Sequence, residues 1–251
     1  MLVTVIGCSG SFPGPESPAS CYLVEADGFS MLLDLGSGAL GALQRHRSLY
    51  EIDAVCLTHL HADHCLDLCG YWVARRYCPD GPPPRIPVFG PDGTAERIAR
   101  AYDDIDPDPG MREIFDFVTL RRGPCKVGPF TVTTARMSHP VDAYGFRIEH
   151  GGRVVAYSGD TGPCEALVDL ARGADLFLCE ASFLDRPNLP ADLHLTARQA
   201  GEHAARAGVG KLVLTHLVPW NDKEQSLAEA KATPFGGAIE LARQGAAYDV
   251  S

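Results

Sequence analysis

The sequence predicts an α/β fold in which two β-sheets pack face to face with helices on their outer sides. Three observations predict it. Short apolar runs bounded by Gly, Pro and Ser recur along the chain, helical runs are interspersed among them, and the second half repeats the style of the first. No linker divides the 251 residues, so residues 1–251 read as a single domain.

In the first half, Leu2–Ile6, Cys21–Glu25 and Ser30–Asp34 read as strands, with a Gly/Ser/Pro loop from Gly7 to Pro15 between the first two. Gly38–Arg47 suits a short helix. Ala54–Thr58 is a buried strand, and Leu66–Tyr77 the helix that follows it. Gly81-Pro82-Pro83-Pro84 forms a stiff connector. Then come a strand at Ile86–Phe89, a helix at Thr94–Asp103 and an acidic, Pro-rich loop at 104–110. In the second half, Phe115–Leu120, Phe130–Ala135, Tyr144–Ile148 and Val154–Tyr157 read as strands, with His150-Gly151-Gly152 as a hairpin turn. Strands at Leu176–Cys179 and Leu212–Leu214 alternate with helices at Glu165–Arg172, Thr196–Ala207 and Asp222–Ala232.

Composition narrows the function. With 45% apolar and 22% charged residues the chain can bury a core, and no apolar run is long enough to span a membrane. The N-terminus reads as a strand rather than a signal peptide, which places the protein in the cytoplasm. Nine cysteines, an odd number with no C-x-x-C pair, fit reduced thiols. A zinc knuckle from Cys65, Cys69 and Cys78 lacks the spacing of a compact four-ligand site. The net charge of −10 disfavours a long RNA partner, because only the pairs Arg75-Arg76 and Arg121-Arg122 stand out as basic.

The chemistry concentrates in Thr58-His59-Leu60-His61-Ala62-Asp63-His64. Four potential ligands follow a buried strand within six residues. In an extended segment His59, His61 and Asp63 would point the same way, and a turn into a helix would bring His64 round to a second metal. Imidazole nitrogen with carboxylate oxygen suits zinc, with manganese or iron as alternatives. A metal-free loop would crowd these groups without purpose. Four ligands are too few for a pair of metals, and the missing ones are expected at later strand ends. His139, Asp160 and His216 stand there, in Ser138-His139-Pro140, Ser158-Gly159-Asp160-Thr161 and Thr215-His216. His46, His150 and His203 read as ordinary surface residues.

The order HxHxDH, His, GDT and TH resembles the metallo-β-lactamase superfamily, and within it the tRNase Z-like phosphodiesterase branch. The resemblance covers essentially the whole chain. It implies a four-layer αββα sandwich of two mixed β-sheets flanked by helices, with the site at one edge. It puts His59, His61 and His139 on one metal, and Asp63, His64 and His216 on the other, with Asp160 bridging. Two divalent ions, zinc by default with manganese as the alternative, and a homodimer are further implications. Asp160 stands where exported zinc β-lactamases have Cys, which makes a β-lactam substrate a poor fit.

Cys179-Glu180-Ala181-Ser182 resembles the His-Glu-Ala-Thr motif of tRNase Z, and His194-Leu195-Thr196 its His-x-Ser/Thr motif. The resemblance implies that Glu180 orients His194, which protonates the departing alkoxide. The tRNA-binding arm of those enzymes falls between the third His motif and the bridging Asp. Only residues 140–159 lie there in this chain, enough for a hairpin. The armless chain, with Ser17-Pro18-Ala19-Ser20, Leu40-Gly41-Ala42-Leu43-Gln44-Arg45-His46 and His64-Cys65-Leu66-Asp67-Leu68, is similar to bacterial atypical cyclic-nucleotide phosphodiesterases. That resemblance implies hydrolysis of a small phosphodiester such as 3′,5′-cyclic AMP to the 5′-monophosphate. A tRNA 3′-processing endoribonuclease and a thioesterase or lactonase are the competing classes. Ser9 and Ser11 are candidates to contact phosphate through their Gly-rich loop, and Trp220 to stack on a base.

Overall fold

Alternation of period two sends neighbouring side chains of one strand into different cores. In Cys21–Ala26, Cys21 and Leu23 face the first helical layer, while Tyr22 and Val24 face the other sheet. The computed structural model describes residues 1–103 and 110–251, so Asp104, Asp106 and Asp108 of the acidic loop lie outside the described residues.

The strands in chain order are β1 Leu2–Gly7, β2 Cys21–Ala26, β3 Phe29–Leu33, β4 Ala54–Cys56, β5 Ile86–Gly90, β6 Phe115–Thr119 and β7 Gly123–Val127. They continue as β8 Phe130–Arg136, β9 Tyr144–His150, β10 Arg153–Tyr157, β11 Leu176–Glu180, β12 Lys211–Thr215, β13 Ala238–Leu241 and β14 Ala247–Asp249. One seven-stranded sheet has the order β14-β1-β2-β3-β4-β5-β6, the other β13-β12-β11-β10-β9-β8-β7. Both are mixed. Pairing is antiparallel from β14 to β3 and parallel from β3 to β6; in the other sheet it is antiparallel from β7 to β10 and parallel from β10 to β13.

Three cores hold the layers together. Between the sheets lie Tyr22, Met31, Phe130, Phe146, Tyr157 and Leu178. Outside the first sheet, Leu43, Leu68, Tyr71 and Ile98 of the helices Ala39–Leu43, Leu68–Arg76 and Thr94–Tyr102 cover Leu32, Val55 and Val88. Outside the second, Leu167, Ala200, Ala204 and Ala230 of Glu165–Ala171, Ala197–Ala207 and Lys223–Lys231 cover Phe177 and Leu214. Each large apolar side chain so buried contributes about 1.5–3 kcal/mol. This is the αββα sandwich that the resemblance implies.

Several boundaries follow local chemistry. Thr196 caps the helix Ala197–Ala207 in a reciprocal capping box with Gln199, and Gly208 ends it in the left-handed conformation. The turn between β9 and β10 has positive φ at both Gly151 and Gly152, as a two-residue hairpin requires. The expected helix Leu66–Tyr77 forms over Leu68–Arg76, with a separate short helix Ala62–Cys65 before it, and Gly38–Arg47 is helical only over Ala39–Leu43.

Some polar residues sit deeper than their sequence context suggests. Arg75, of the basic pair Arg75-Arg76, is 1% exposed, donates to Tyr71 Oη and the Pro84 carbonyl, and so pins the Pro-rich connector. His203 is buried rather than a surface residue, its Nδ1 held by the Gln199 carbonyl at 2.7 Å. All nine cysteines are free, and Cys65 packs in the first helical core instead of a knuckle. Among the described residues no helix is long and apolar enough to cross a membrane.

Candidate metal centre

The site gathers at carboxyl ends of strands along one edge. Asp34 follows β3, His59 follows β4, His139 follows β8, Asp160 follows β10, Glu180 ends β11 and His216 follows β12. The short helix Ala62–Cys65 redirects the histidine segment. His59 and His61 precede it and converge, with Nε2 and Nδ1 3.0 Å apart. Asp63 and His64 lie within it and turn elsewhere, so the extended alternation holds only as far as His61. Gly36 makes room for this turn, since a Cβ there would stand 1.9 Å from the Asp63 carbonyl oxygen.

Two donor groups result, each with its atoms within 4.8 Å of one another: His59, His61, His139 and Asp160, and Asp63, His64, Asp160 and His216. Asp160 belongs to both. Its Oδ2 lies 3.6 Å from His59 Nε2, while Oδ1 lies 3.2 Å from His64 Nε2 and 3.4 Å from His216 Nε2. Oδ1 is buried and accepts no hydrogen bond among the described residues.

The donors fit metal ions. Nitrogens bound about 2.0–2.1 Å from one ion stand ~3 Å apart, and His139 Nε2 is 3.3 Å from His61 Nδ1. Lone pairs crowded this closely repel unless a cation lies among them. Burial holds His59 well below the usual imidazole range and so in the neutral form that ligates. Burial would raise the Asp160 carboxyl, yet the imidazoles of His216, His64 and His59 keep it well below the usual range and ionised.

A layer of hydrogen bonds fixes which nitrogen each ring presents. His139 Nδ1 is 2.9 Å from the Leu193 carbonyl. His216 Nδ1 is 2.7 Å from Ser182 Oγ, which donates its own proton to Glu180 Oε2 at 3.0 Å. His64 Nδ1 is 2.8 Å from Asp34 Oδ2, and that carboxylate also accepts from Thr58 N at 2.7 Å and Tyr157 Oη at 2.7 Å. Asp34 was not among the sequence candidates; the only signal was a carboxylate ending an apolar strand. Replacing it by Ala should weaken metal retention ~10–100-fold in chelator competition. Unfolding should also become easier by about 1–3 kcal/mol for each buried donor left without a partner.

A third group joins Glu180, His194 and His216. Glu180 is fully buried and accepts from Thr161 N at 2.8 Å, Ser182 N at 3.2 Å and His194 Nδ1 at 2.9 Å. Burial alone would lower the His194 imidazole, but the Glu180 carboxylate, with Asp160 behind it, raises it to about 9. His194 therefore carries a proton near neutrality and keeps Nε2 clear of Glu180.

The remaining candidates separate. Ser9 is buried and its hydroxyl is spent on its own loop, donating to the Ser17 carbonyl at 3.0 Å and accepting from Gly14 N at 3.3 Å. Ser11 and Trp220 both line a cavity that His194 also lines, and Trp220 is 75% exposed.

A family profile described as "Beta-lactamase superfamily domain" matches residues 31–217. The chain belongs to that superfamily. Among superfamily relatives, it is 45% identical over 255 residues to an uncharacterized protein of Mycobacterium leprae, covering 99% of this chain and 88% of the relative. It is 35% identical over 279 residues to a ribonuclease Z of Mycolicibacterium gilvum, covering 95% and 92%. Among solved superfamily folds, the metallo-β-lactamase fold protein YhfI of Bacillus subtilis superposes with a TM-score of 0.86 at 29% identity, covering 98% of both chains.

Proposed function

We propose that this metal-dependent hydrolase is a dinuclear phosphodiesterase acting on a small phosphodiester, foremost 3′,5′-cyclic AMP. His59, His61 and His139 would hold one ion, and Asp63, His64 and His216 the other, with Asp160 between them. Two ions, zinc by default with manganese as the alternative, would supply the Lewis acidity that activates water and neutralises phosphoryl charge.

The observation that carries the reading is the dyad of Glu180 and His194, 2.9 Å apart beside both donor groups. An alkoxide leaves only with a proton, whereas a thiolate can leave without one, so a placed acid favours a phosphodiester over a thioester. Water attacks phosphorus and releases a proton to solvent, the bond to the 3′ oxygen breaks, and His194 Nε2 delivers its proton to that oxygen and regains one from solvent. Glu180 holds the imidazolium in place throughout.

The ribonuclease Z relative supports cleavage of tRNA as a second reading. Against it stands the segment between His139 and Asp160, which closes as the tight hairpin of β9 and β10 and leaves no arm. The test follows cyclic AMP and a precursor tRNA side by side, with Asp63→Ala as the blank. Cyclic AMP should disappear while the tRNA stays intact. Cleaved tRNA with untouched cyclic AMP would overturn the small-substrate reading.

A further inference from the structure

A cavity of about 360 Å³ adjoins the site, and the chemistry above does not use it. Phe183, Leu189, Leu193, Val218 and Trp220 give it largely apolar walls, and His194 lines it too. Trp220 is not core: its indole is 75% exposed and rests on Phe12, with ring centroids 4.9 Å apart. An indole left in water at the mouth of a site is a surface for stacking.

Arg186 lines the same cavity, and also a second one of about 390 Å³ that shares His194 and Leu189. Its acidic neighbours are engaged elsewhere. Asp185 accepts from Arg198 at 2.7 Å, and Asp192 accepts from Ser138 Oγ at 3.0 Å. Arg186 makes no ion pair among the described residues, in a chain whose net charge is −10. Guanidinium groups free of carboxylates stack well on aromatic rings.

Geometry ties the cavity to one side of the reaction. A general acid must touch the leaving oxygen, so the group bearing that oxygen extends away from His194. Apolar walls suit neither phosphate nor sugar hydroxyls. They suit a flat heteroaromatic ring, and polar atoms at Ser11 and Asn221 are present for its edge. Asn221 Nδ2 is already bound to the Ser182 carbonyl at 2.7 Å, which leaves its Oδ1 as an acceptor.

We propose that this cavity seats the base of the nucleoside that carries the leaving oxygen, with Trp220 and Arg186 providing the stacking surfaces. Trp220 and Arg186 are thus specificity residues that select substrates by the presence of a base. The inference rests on the phosphodiesterase reading, but its test separates the two.

Only two tryptophans occur, and Trp72 is 2% exposed, so a Trp72→Phe variant reports on Trp220 alone. Adenosine 5′-monophosphate should quench its fluorescence while ribose 5-phosphate should not, and adding Arg186→Ala should weaken the binding about tenfold. No quenching, or equal quenching by both probes, would overturn the base site. Independently of that variant, Trp220→Ala and Arg186→Ala should each reduce the preference for cyclic AMP over a baseless ribose 3′,5′-cyclic phosphate about tenfold or more, mainly through KM. An unchanged preference would refute the assignment. If the wild-type protein cleaves neither cyclic ester, the phosphodiesterase reading fails, and the titration alone decides whether the cavity takes a base.

Discussion

Replacing Asp160 by alanine should abolish phosphodiester hydrolysis and weaken both donor groups at once. Its two oxygens face different donor groups, Oδ2 toward His59 and Oδ1 toward His64 and His216. Removing the side chain takes a donor from each group and leaves imidazoles facing one another without this carboxylate. Changes one layer further out cost ~10–100-fold in metal affinity or activity, and this loss should be larger. Bound metal, measured by elemental analysis, should drop by roughly half or more. Asp160→Asn separates charge from shape: it should fold like the parent and still lose metal. Full occupancy in Asp160→Asn would show that neither group depends on the shared charge.

His194→Ala should have the second largest effect, and a different signature. Metal content should stay at the parent level, while kcat on cyclic AMP falls ~10²–10⁴-fold, the usual worth of a placed acid. The loss should depend on the leaving group. Bis(p-nitrophenyl) phosphate expels a stable phenolate that needs no proton, so its hydrolysis should be far less affected. Glu180→Gln should show a weaker form of the same pattern, because Glu180 raises and orients the imidazole without touching substrate. Equal losses on both esters would mean that His194 positions substrate rather than protonating it.

What was legible in the sequence was whatever is local in the chain. His59, His61, Asp63 and His64 stand within six residues, and the strands that carry His139, Asp160 and His216 announce themselves by apolar runs. The two-sheet architecture followed from the same runs. Groups defined by distant partners were not legible. Asp34 matters through Thr58, His64 and Tyr157, and Ser182 through Glu180 and His216, contacts that, Glu180–Ser182 apart, join separate strands and, for Tyr157, separate sheets. Three strands were missed for a related reason. β7 contains Pro124 and leaves Pro124 and Lys126 exposed, β13 is half exposed, and β14 spans three residues. Such edge strands gain their order from the neighbour they pair with rather than from propensity. His203 shows the converse, a polar residue drawn into a core because its helix is buried on that side.

The Asp34 carboxylate is also a seam. Thr58 belongs to the first sheet and Tyr157 to the second, and both donate to the one buried group that steadies His64. Parting the sheets at this edge and unsettling the metal position are therefore the same event. Whereas His61 of the other group is exposed, the group of Asp63, His64, Asp160 and His216 is buried throughout and meets this seam. Ions held there would be surrendered by the unfolding of the sandwich rather than by breathing of a loop, and the lifetime of the loaded enzyme would be set by the lifetime of its fold.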